Sequence, residues 1–152
     1  MTVEDERQLA GLKRSGALVR DILRAMLNEA RPGVTGIELD RMAQEMMDRA
    51  GARSAPRAAY NFPGATCISI EGVVAHGIPD ERPLREGDLI NIDVSLDLDG
   101  YWTDSGASMV VGGKGTPEQN KLLETTKRAM TKGIYAAKAG QPINAIGKRV
   151  EA

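Results

Sequence analysis

The chain has 152 residues, enough for one domain with a sizeable core. Hydrophobic residues make up 41% and charged residues 27%, and 20 basic against 21 acidic side chains leave a net charge of -1. Near-neutrality, aromatics at 3% and no apolar run of membrane length exclude nucleic acid and membrane as partners, while the acidic start MTVEDERQLA and the lone Cys67 point to the cytoplasm.

Leu9, Leu12, Val19, Ile22, Leu23 and Met26 recur at helical spacing and predict a first helix over roughly 4–30, stopped by Arg31-Pro32-Gly33. Thr35-Gly36-Ile37-Glu38 has the form of a capping box, so a second helix follows to Ala50, with Gly51 as its stop. Residues 54–63 read as irregular or a short edge strand. Residues 66–75, TCISIEGVVA, read as a strand kinked at Gly72, broken by His76-Gly77-Ile78-Pro79. Arg85-Glu86-Gly87 turns into a strand over 88–96, and Asp99-Gly100 predicts a hairpin returning over 101–111. Thr116-Pro117-Glu118-Gln119 starts another helix, closed by Gly140, and a last amphipathic helix begins near Pro142. It reaches Ala152 without a stop signal, so residues 1–152 are expected to be a single, truncated domain.

The hairpin carries the chemistry. Ile90, Ile92, Val94 and Leu96 make one face of its first strand apolar, and Asn91, Asp93 and Ser95 make the other polar. Aspartate is poorly suited to a strand interior, yet Asp93 sits in one and Asp104 follows eleven residues later. With Asp99-Gly100 as the central turn residues, Asp93 opposes Gly106 and Asp104 is its diagonal neighbour. With the turn one residue earlier, the two aspartates oppose each other. Both registers put the carboxylates on one face, about 5–8 Å apart at Cβ; only a three-residue loop separates them. Like charges so placed repel, and a divalent cation removes the repulsion. Hard carboxylate ligands suit Mg, Mn, Fe(II), Co or Zn, and neighbouring carboxylates can bridge a metal pair. The alternative is a solvated polar face with no ligand.

His76 is the only histidine. It ends a strand just before Gly77 and Pro79, where a turn can present a side chain to a cleft. Cys67, between Thr66 and Ile68, reads as a small core residue.

Taken in order, residues 62–70 (FPGATCISI), 73–79 (VVAHGIP), 87–94 (GDLINIDV), Asp99-Gly100-Tyr101 and Asp104 closely resemble type I methionine aminopeptidase over nearly the whole chain. The resemblance implies an α+β fold, the first half of a pita-bread fold. Its antiparallel sheet carries the Asp-Gly hairpin and is covered on one face by helices. It implies a dinuclear site holding two divalent ions (Co, Mn, Fe, Zn or Ni), with Asp93 and Asp104 as metal ligands. His76 would contact substrate and stabilise the scissile amide in the transition state. Tyr60, Phe62 and Cys67 would line the methionine side-chain pocket. The implied activity is metal-dependent hydrolytic removal of N-terminal methionine. The implied partners are peptide or nascent-protein N-termini and, with them, the ribosome.

The family's remaining ligands, one histidine and two glutamates, belong to a second half absent from these residues. The chain alone is therefore expected to be inactive and to require that C-terminal half. Trp102-Thr103-Asp104-Ser105-Gly106 and Gly72 depart from the usual motifs, as in a divergent paralogue. Two rival readings are a non-catalytic pita-bread binding module, against which His76, Asp93 and Asp104 together argue, and a creatinase or prolidase relative.

Overall fold

The structure, a computed structural model, describes residues 2–152. It divides into two compact units, one running to Lys114 and the other spanning Gly115–Ala152.

The first unit opens with α1 (Glu6–Glu29), which Asp5 caps by accepting from the Gln8 amide. Its inward stripe is Ser15, Val19, Ile22, Leu23 and Met26; Leu9 and Leu12 are only half-buried. Helix α2 (Gly36–Ala50) starts on the expected capping box, with Thr35 and Glu38 satisfying each other's amides, and ends at Gly51 in the left-handed region. A two-residue strand, β1 (Arg53–Ser54), then leads straight into a short helix, α3 (Ala55–Tyr60). That helix replaces the irregular segment or edge strand expected over 54–63. Ser54 caps it, Pro56 stands in its first turn where no amide partner is needed, and Asn61 closes it at φ 52°. Six residues are too few for a helical period to show in the sequence.

Strand β2 spans only Cys67–Ile70, not the expected 66–75. Glu71 adopts φ 52° and turns the chain away, so Val73 and Val74 lie in an exposed loop. The long hairpin follows, β3 (Leu89–Leu98) and β4 (Tyr101–Val110). Asp99 and Gly100 sit at φ 56° and 83°, the backbone that a two-residue hairpin turn requires.

All pairings are antiparallel. β4 pairs with β3 along its full length, so β1 and β2 share the other edge of β3, at Leu96–Asp97 and at Ile90–Asp93. Helices α1 and α2 cover one face. Ile90, Ile92, Val94 and Leu96 are fully buried there against Val19, Ile22 and Met26 of α1 and Leu39, Ala43 and Met47 of α2. Each such side chain contributes about 1.5–3 kcal/mol. Ser15 meets this layer as a buried polar group, with its hydroxyl 2.6 Å from that of Thr103 and donating to the Tyr101 carbonyl. The apolar layer anchors one face of the hairpin and leaves the other free for polar residues.

The second unit holds α4 (Pro117–Ala136), which begins on a Thr116–Gln119 capping box, and α5 (Asn144–Glu151). Helix α4 stops at Ala136, short of Gly140. Among the described residues no helix is long and apolar enough to cross a membrane.

Candidate active site

The β3–β4 register settles which hairpin forms. Asp93 faces Gly106 and Asp104 faces Ser95, so the two aspartates are diagonal neighbours on the face away from the helices. Asn91 and Ser108, paired on the same face, are joined by an amide-to-hydroxyl hydrogen bond of 2.9 Å. Gly106 matters because of what it lacks. A Cβ there would stand 3.4 Å from Oδ1 of Asp93 and 3.3 Å from the Ile92 carbonyl oxygen. The place beside the Asp93 carboxylate is thereby kept open.

The electrostatics follow from this placement. The Asp93 carboxyl is raised from its ordinary 3.8 to about 6, first by burial, then by the Asp104 charge and a hydrogen bond to Asp104, with His76 opposing weakly. A positive charge beside this carboxylate would favour its ionised form and bring it back down. Two acidic oxygen donors with open space beside them fit part of a divalent-metal site. Among the described residues no group of three or more His, Cys, Asp or Glu side chains is placed to hold an ion.

His76 reaches the same region by a strained route. Gly77 is buried and docks on β2: its amide donates to the Ser69 hydroxyl (3.1 Å) and its carbonyl accepts from the Ile68 amide (2.9 Å). A Cβ on Gly77 would lie 2.2 Å from the Ile68 carbonyl oxygen, so only glycine fits. With Gly77 held, His76 takes φ 53° and its side chain stays exposed. Left-handed backbone at a non-glycine residue costs about 1–3 kcal/mol and persists only where the surroundings impose it.

Asp93, Asp104 and His76 line one cleft of about 460 Å³ together with Tyr60, Phe62 and Cys67. All the expected site residues therefore converge. Tyr60, the last residue of α3, is largely exposed and Phe62, two residues further on, is half-buried, whereas Cys67 is buried in β2 directly opposite Asp93. Burial, followed by the charges of Asp93, Asp40 and Asp104, raises the Cys67 thiol, so it is an unreactive part of the wall. Ala55, Pro56 and Ala59 of α3 and Ser95, Trp102 and Thr103 of the hairpin complete the lining. The α3 residues were missed because that helix leaves no sequence period. Trp102 was legible in principle, since it is two residues from Asp104 on the same face of the strand.

Residues 10–152 match the sequence pattern of one protein family, described as metallopeptidase family M24. The chain belongs to that family. This M24 chain is 41% identical over 151 residues to methionine aminopeptidase 2 of Bacillus subtilis, covering 99% of itself and 60% of that protein. It is 41% identical over 152 residues to a methionine aminopeptidase of Staphylococcus epidermidis, covering 61% of it. The crystal structure of methionine aminopeptidase from Rickettsia prowazekii superposes with a TM-score of 0.91 at 31% identity, over 99% of this chain and 60% of that one. The M24 chain thus spans about three-fifths of the length of the relatives it matches. Its fold is the expected one, an α+β portion of a pita-bread fold with an antiparallel sheet and helices on one face.

Proposed function

We propose that these residues supply part of the active site of a methionine aminopeptidase, which hydrolyses the first peptide bond of peptides and nascent proteins beginning with methionine. The observation that carries this reading is the convergence of Asp93, Asp104 and His76 in the cleft walled by Tyr60, Phe62 and Cys67. The 41% identity to methionine aminopeptidases supports it over a prolidase-like activity. One family pattern runs across both compact units, which supports treating residues 1–152 as a single but incomplete domain.

In this reading Asp93 and Asp104 would hold a pair of divalent ions, with further ligands from outside these residues. When bound, the ions supply Lewis acidity to the scissile carbonyl and a nucleophile at neutral pH. His76, on its fixed turn, donates a hydrogen bond to the scissile amide and stabilises charge that develops there. Tyr60, Phe62 and Cys67 enclose the apolar methionine side chain and set the amide in register with the carboxylates. The lone cysteine supports a reducing cytosol as the working compartment, where nascent chains on the ribosome present the substrate.

Two carboxylates do not close a dinuclear site, so the 152 residues by themselves are inactive. The test uses the full-length protein with Mn(II) or Co(II) and a methionyl tripeptide. Turnover is expected, and Asp93→Ala and Asp104→Ala each abolish it. Full activity in either variant, or robust turnover by the isolated 152 residues, would overturn the assignment.

A further inference from the structure

The cleft wall formed by Phe62 and Cys67 is the entry to β2, and that entry has no strand partner to hold it. Ala65 and Thr66 are fully buried, yet they precede the first ladder pair, Cys67 with Asp93. Their amides require other acceptors. A single side chain provides both. Asp40, on the buried side of α2, accepts from the Ala65 amide with both oxygens (2.9 and 3.0 Å), from the Thr66 amide (2.8 Å) and from the Thr66 hydroxyl (2.7 Å). From the other side the Ser54 hydroxyl donates to the Ala65 carbonyl at 2.8 Å. The same hydroxyl accepts from the Arg57 amide at 3.4 Å, as the cap of α3. Arg57 reaches Asp40 only at 3.9 Å, so the carboxylate is balanced mainly by the donors it grips.

This clamp has a defined reach. It fixes the peptide between Phe62 and Cys67, and through Ser54 it ties that peptide to α3, which carries Tyr60. It touches neither Asp93 nor Asp104, which sit on β3 and β4.

We propose that Asp40 is a positioning residue that sets the fit of the substrate side chain. It holds the Ala65–Thr66 peptide so that Phe62 and Cys67 present a fixed wall, and it contributes nothing directly at the metal-binding carboxylates. This inference rests on the cleft being the methionine pocket. Charge-assisted bonds to buried amides are the strong kind, and Asp40→Asn turns one gripping oxygen into a donor that faces the Ala65 amide. The wall should then loosen while α2 keeps its shape.

The test compares full-length parent, Asp40→Asn and the milder Thr66→Val, which removes only the hydroxyl donor and guards against a misfolded Asp40 variant. Expected in Asp40→Asn is a rise in KM for a methionyl tripeptide of about tenfold, with kcat within about threefold and the affinity for Mn(II) unchanged by calorimetry. Thr66→Val should shift KM the same way but less. Cys67 is the only cysteine of these 152 residues, so its rate of modification by a thiol reagent, followed at the peptide that carries it, reads the wall without turnover and should rise severalfold in both variants. Unchanged KM and unchanged Cys67 labelling would overturn the proposal, as would a fall in kcat with KM constant. If the parent has no methionyl-peptide turnover, the proposed function fails. The clamp is still decided by Cys67 labelling, where parent-like rates sink it.

Discussion

Replacing Asp93 by asparagine should stabilise the metal-free protein. In the absence of a cation the Asp93 carboxyl is raised from 3.8 to about 6 by burial and by Asp104. That rise corresponds to about 3 kcal/mol for a fully felt interaction. Asp93 is only half-buried, so solvent screening reduces the cost to about 1–2 kcal/mol. The sign follows from linkage. The folded state holds this proton more tightly than the unfolded chain, so its favourable contribution is complete below about pH 4 and is lost as pH rises through about 6. Asp93→Asn removes that loss. Urea unfolding in chelator near pH 7 should show a gain of about 1–2 kcal/mol over the parent, shrinking below about pH 6 and vanishing near pH 4. Saturating Mn(II) should stabilise the parent and leave Asp93→Asn unchanged. A variant no more stable than the parent near pH 7, or a gain of the same size near pH 4, would show that burial and Asp104 do not disfavour the Asp93 charge as argued.

Gly77→Ala should cost at least about 2 kcal/mol, because its Cβ meets the Ile68 carbonyl oxygen at 2.2 Å and either β2 or the loop that carries Gly77 must move; a urea midpoint equal to the parent's contradicts the close approach. Thr35→Ala should lose about 1 kcal/mol with the capping box of α2, read as a lower thermal midpoint. Cys67 modification near pH 8 should be slow, since burial and the nearby carboxylates raise its thiol, and Asp93→Asn should speed it. An equal rate in both proteins would mean that Asp93 does not act on the thiol.

Much of this fold could be read locally. Capping boxes, the Asp-Gly turn and the alternation from Ile90 to Leu96 are short-range signals, each set by backbone hydrogen bonding or by the two-residue period of a strand. They predicted α2, α4 and the β3–β4 hairpin within a few residues. Failures came where a distant partner decides. TCISIEGVV has the composition of a long strand, but β2 ends at Ile70 because β3 offers it ladder partners only from Ile90 to Asp93 and Glu71 turns away. Helix α3 depends on Ser54, which is held in turn by its bond to Ala65.

The same division runs through the site. The sequence by itself determined that Asp93 and Asp104 belong to one hairpin, that the strand's other face is apolar, and that His76 stands at a break before Gly77. Neither the diagonal register, with Gly106 open opposite Asp93, nor the left-handed turn that exposes His76 could be chosen from the residues alone. Asp40 shows the limit most plainly. In the sequence it is one more acidic residue on a helix, and only packing of α2 against the entry to β2 turns it into the acceptor for two buried amides. Local periodicity says which way a side chain points; what it meets there is decided by segments far away in the chain.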